Sequence, residues 1–80
     1  MIHDYSSVQV WESLEVLFPN DIEMLVSQCN REYDWDYHKD IYDILETLSD
    51  DDFINEVELL LSQTDIKAIE NWLNNEYNIR

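Results

Sequence analysis

This eighty-residue chain contains no glycine, one proline (Pro19), one cysteine (Cys29) and four basic residues. Without glycine, tight hairpin turns lose the residue they most often require. A glycine-rich phosphate loop and an EF-hand calcium loop are excluded for the same reason. A lone cysteine rules out an internal disulfide and permits a reducing compartment. No apolar run approaches the roughly 20 residues of a membrane span. The opening MIHDYSSVQVW lacks the basic-then-apolar order of a secretory signal, so the expected location is cytoplasmic.

What the chain has in excess is acid. Nineteen Asp and Glu against four Lys and Arg give a formal charge of −15. Hydrophobic content is an ordinary 45%, with three Trp, five Tyr and two Phe, so this is a chain that folds rather than an acidic disordered tail. Its length allows a single domain spanning residues 1–80. Charge of one sign opposes compaction, yet it also steers association with the opposite sign. Nucleic acid and anionic membrane are polyanions and make poor direct partners. A basic protein surface is the complement.

Helical periodicity recurs along the sequence. A first helix is expected over Val8–Phe18, capped by Ser6 or Ser7 and stopped by Pro19. Its face is Val10, Trp11, Leu14, Leu17 and Phe18. Asn20 with Glu23 reads as a capping box for a second helix striped by Ile22, Leu25, Val26 and Cys29. Tyr37, Ile41, Ile44, Leu45 and Leu48 define a third. Ser49 with Asp52 caps a fourth, and Thr64 caps a fifth along Ile66, Ile69, Leu73 and Tyr77. The fold class that follows is all-α: a compact single-domain bundle of about five short amphipathic helices.

On a wheel for residues 36–48, the apolar side chains share a sector of roughly 100°. Asp36, Asp40 and Asp43 cluster opposite, with Glu46 at the edge. Spacings of three and four residues separate those carboxylates by roughly 5 to 6 Å along a helix axis. Phosphates of nucleic acid repeat on a similar scale. Asp50, Asp51 and Asp52 extend the acid, and no Lys or Arg lies between Asp40 and Glu58. Like charges at helical spacing destabilise, so a face of one sign reads either as a surface used for binding or as a solvated face with an acidic bias.

The stretch EYDWDYHKD, residues 32–40, alternates acids with Tyr33, Trp35 and Tyr37. A third helix starting near Arg31 would place Tyr33 and Tyr37 in the core. Trp35 has two readings. It plugs the core from a loop, or it stands exposed beside Asp34 as an interface anchor.

No catalytic constellation, metal ligand set or cofactor motif emerges. No two carboxylates are set in contrasting environments. No histidine lies near Cys29 in sequence, and Cys29 falls on an apolar stripe as a buried thiol would. His3 and His38 have no partner at zinc spacing.

Small size, helical pattern and continuous carboxylates resemble the DNA-mimic inhibitors of phages and mobile elements, the anti-restriction and anti-CRISPR proteins. That resemblance implies a non-enzymatic inhibitor acting in the bacterial cytoplasm on a nuclease or a DNA- or RNA-binding complex. The binding residues would be Asp34, Trp35, Asp36, Asp40, Asp43, Glu46, Asp50, Asp51 and Asp52. An immunity protein neutralising a cognate nuclease toxin, or an acidic helical adaptor with an apolar groove, fits the same composition.

Overall fold

The computed structural model describes residues 1–77, which form five α-helices and two short 3-10 turns. Helix α1 is Ser7–Leu17, α2 Ile22–Glu32, α3 Ile41–Thr47, α4 Asp50–Leu60 and α5 Gln63–Tyr77. Among the described residues there is no strand, and no helix is long and apolar enough to cross a membrane.

Local chemistry accounts for most boundaries. Ser6 Oγ accepts the Gln9 N–H at 3.2 Å, and the Gln9 side chain accepts the Ser6 N–H at 2.9 Å. This reciprocal box starts α1. Pro19 follows the end of α1 and opens a 3-10 turn, Pro19–Asp21. That turn runs directly into α2 through Asp21, whose backbone is already helical (φ −86°, ψ −9°) and whose side chain makes no capping bond. The expected Asn20–Glu23 box therefore does not form, because a capping side chain needs an extended residue before the first turn. Ser49 caps α4 through the Asp52 N–H at 3.2 Å. At α5 the capping oxygen belongs to Ser62, which accepts the Asp65 N–H at 3.2 Å; Thr64 lies one residue inside the helix.

Each helix contributes to one core. Val10 and Leu14 meet Leu25 and Cys29, Ile44, then Phe53, Ile54 and Val57, and finally Ile66, Ile69 and Leu73. α1 packs most extensively on α5, and α4 lies against both α1 and α2. Trp11 and Trp72 are half-buried at the core margin. The Tyr77 hydroxyl donates to Glu12 Oε2 at 2.8 Å, tying the end of α5 to α1.

The N-terminal turn Ile2–Asp4 is drawn onto α4. Ile2 is 1% exposed, and His3 lies between two carboxylates of α4. Its Nδ1 is 3.1 Å from Asp51 and its Nε2 2.8 Å from Glu58. Only the imidazolium can donate from both nitrogens. The Glu58 bond, then the Asp51 bond, raise the His3 pKa above 6.5. Beside them, Asp50 Oδ1 accepts the Ser7 N–H at 3.0 Å, and hydrogen bonding to Ser7 lowers the Asp50 pKa.

The folded state thus holds the His3 proton more tightly than the unfolded chain does. Its contribution to stability is complete below the unfolded value of about 6.5. It is lost as pH rises through the higher folded value. In urea titrations across this range, the wild-type midpoint is expected to fall relative to that of His3→Gln as pH increases. Parallel curves for the two proteins would contradict the charged clasp.

Candidate acidic interface

The third helix begins later than its apolar spacing predicts. Asp40 has an extended backbone (φ −82°, ψ 179°), and its carboxylate accepts the Asp43 N–H at 2.9 Å. That makes Asp40 the cap of α3 and leaves residues 33–40 as a loop. Asn30, on the last turns of α2, holds this loop in place. Its Oδ1 accepts the Lys39 N–H at 2.8 Å, while its Nδ2 donates to the Lys39 carbonyl at 2.9 Å and to the Val26 carbonyl at 2.8 Å. Both backbone polar groups of Lys39 are thereby satisfied by one side chain.

The alternation of residues 32–40 survives, but it sorts a loop rather than a helix. Tyr33 and Trp35 stack with centroids 5.2 Å apart and planes 8° from parallel. Lys39 Nζ lies 5.3 Å from the Trp35 centroid and 4.2 Å from that of Tyr37, and donates to the Tyr37 hydroxyl at 3.1 Å. Trp35 is half-buried and packs against the core. Tyr37, expected in the core, is 60% exposed. With the helix delayed to Ile41, its side chain is no longer in register with Ile41 and Ile44. Lys39 supplies its contact instead. The even-numbered Asp34, Asp36, His38 and Asp40 are exposed.

The proposed column of helical acids is accordingly shortened. Asp36 sits in the loop. Asp40, Asp43 and Glu46 remain spaced by three, from the cap of α3 to its penultimate residue, with Asp43 half-buried and Glu46 exposed. The aspartates of α4's first turn diverge: Asp50 bonds Ser7 and Asp51 bonds His3. Asp52 lies near enough to Tyr33 that its charge adds to the effect of burial in raising the Tyr33 pKa. Asp50 and Asp51 therefore hold the N-terminus, whereas the Asp52 carboxylate is exposed and makes no hydrogen bond among the described residues.

Lys and Arg side chains form no ion pairs with these acids among the described residues. Among the described residues the ion pairs are those of the N-terminal amine with Asp4 and of His3 with Asp51 and Glu58; no carboxylate is paired with Lys or Arg. Lys39 is engaged with aromatic rings, a contact of roughly 0.5 to 1 kcal/mol at an exposed site. Glu56, at 6% exposure, is held by Gln28, whose Nε2 donates to its carbonyl at 2.9 Å and its Oε1 at 3.0 Å.

A groove of about 520 Å³ borders the loop, lined by Ile22, Glu23, Val26, Ser27, His38, Asp40 and Ile41. In the sequence, Ile22, Val26 and Ile41 read simply as core positions. Their half-buried state comes from flanking the deeper Leu25, Cys29 and Ile44. Burial pushes the Cys29 thiol up to about 12, with Glu56 and Glu32 adding to the effect. At neutral pH the thiol form is therefore favoured over the thiolate. Among the described residues no group of three or more His, Cys, Asp or Glu side chains is arranged to hold a metal.

Comparison with family models, curated proteins and solved structures returned no match, so the functional reading rests on residues and geometry.

Removing the loop clamp has a local signature. Asn30→Ala leaves the Lys39 N–H and C=O without their partner, each hydrogen bond contributing about 1 kcal/mol. Hydrogen exchange at the Lys39 amide is expected to accelerate roughly fivefold or more, with core amides of α4 and α5 much less affected. Unchanged exchange at Lys39 would show that the loop is held by its aromatic cluster alone.

Proposed function

We propose that this chain is a non-enzymatic inhibitor that docks on the basic nucleic-acid-binding surface of a host defence or nucleic-acid-processing protein. Its carboxylates take the positions of DNA phosphates there. The observation that carries this reading is the exposed acid surface that no Lys or Arg side chain pairs among the described residues. Internal pairing is the usual way to relieve such repulsion, and leaving it out preserves the field that captures a basic partner.

Within that surface the carboxylates divide by what they already do. Asp40 and Asp50 accept backbone N–H bonds, and Asp51 holds His3. Asp34, Asp36, Glu46 and Asp52 make no side-chain hydrogen bond among the described residues and are exposed. They are the groups free to accept from the partner's Arg and Lys. Exposed Tyr37 and half-buried Trp35 add aromatic area next in sequence to Asp34 and Asp36, the combination that anchors many interfaces.

The test is capture from a bacterial lysate at low and high salt, followed by competition with duplex DNA. Raising ionic strength from about 0.01 to about 0.15 M shortens the Debye length from roughly 30 to roughly 8 Å, and capture should weaken steeply. Duplex DNA should displace this chain from the captured protein. The variant Asp34→Lys, Asp36→Lys, Glu46→Lys, which spares every helix cap, should lose that binding with its helical circular dichroism intact. Salt-insensitive capture that DNA does not contest would sink the mimic and favour an adaptor.

A further inference from the structure

We infer that the groove between α2 and the start of α3 seats an aliphatic side chain from a basic segment of the partner, and so supplies the selectivity that charge alone cannot. This rests on the reading of the acidic surface as a docking face. The floor is aliphatic: Ile22 and Val26, one turn apart on α2, face Ile41 at the first position of α3. The rim is acidic, with Glu23 on one helix and the capping Asp40 on the other, both exposed. At about 520 Å³ the groove has room for a side chain of leucine size.

Charge decides the occupant. A nucleic acid strand is repelled by the rim and offers no branched aliphatic side chain to fill the floor. A second copy of this chain brings another −15 charges. An apolar side chain flanked by Lys or Arg satisfies both parts at once, the aliphatic group on the floor and the cations on Glu23 and Asp40. Lys and Arg suit that arrangement, since their apolar stems lie along aliphatic surface while the charged ends reach the rim. Asp40 has a second oxygen free for this, since the Asp43 N–H occupies Oδ1.

The probe is a short helix-forming peptide rich in Lys and Arg with two leucines one turn apart, paired with the same peptide carrying serine at those positions. Titrated into the isotope-labelled full chain, the leucine peptide should bind at least roughly tenfold tighter, the effect of burying about one aliphatic side chain. It should also shift the methyl resonances of Ile22, Val26 and Ile41. Ser27→Trp fills the groove from an exposed position and should abolish the difference between the peptides, whereas Ser27→Ala should preserve it. Equal affinities, absence of binding included, or a difference that Ser27→Trp leaves intact would overturn the groove. The salt dependence of the serine peptide reports separately on the acidic surface: equal but steeply salt-dependent binding removes the groove alone, and salt-independent binding of both peptides removes the acidic docking face as well.

Discussion

Nineteen carboxylates share one small fold with four basic side chains, and most of the local structure is arranged around that imbalance. With few cations to pair, backbone N–H groups take their place. Asp40 accepts the Asp43 N–H, Asp50 accepts the Ser7 N–H, and Asp43, Asp50, Asp51, Asp52 and Asp65 all occupy first turns of helices. There the helix dipole favours negative charge by a few tenths to about 1 kcal/mol each. The same constraint recruits His3, whose two nitrogens reach carboxylates about two turns apart on one face of α4. Acid is thus a structural material at helix starts and at the N-terminal clasp, and a free surface elsewhere.

The distinction bears on function. Charge reversal at a cap would loosen α3, so a loss of the proposed binding there would say nothing about an interface. Reversal at Asp34, Asp36 or Glu46 disturbs no hydrogen bond among the described residues and reads the surface itself. Loop 33–40 is where the two roles meet. Asn30 and the stacked Tyr33 and Trp35 hold its odd-numbered side, and its even-numbered acids point to solvent or to the rim of the groove. These contacts restrict the conformations open to the loop, and in the proposed binding a restrained loop loses less conformational freedom than an unrestrained one.

The helices were largely legible because their signals are local. Ser6 and Gln9, Ser49 and Asp52, and the stop at Pro19 act through contacts only a few residues apart, and the stripes through Leu14, Ile54 and Ile69 repeat at the helical period. Ser62 with Asp65 carries the same three-residue spacing as the other caps, so the true start of α5 was readable, although Thr64 competed with it. Tyr37 misled because its distance from Ile41 fits a helical turn equally well. Nothing within that window reveals that Asp40 adopts an extended backbone and restarts the helix after it.

From the sequence alone came an all-helical chain, its apolar faces and a surplus of acid without counter-charge, because composition and periodicity act over short spans. Tertiary structure decided which acids are already bonded, where α3 starts, and that Ile22, Val26 and Ile41 border an open groove instead of closing over. Asn30 reaches across nine residues to Lys39, and His3 reaches 48 and 55 residues to Asp51 and Glu58. Contacts at such separations leave no period in the sequence, and they exist only once the helices have packed.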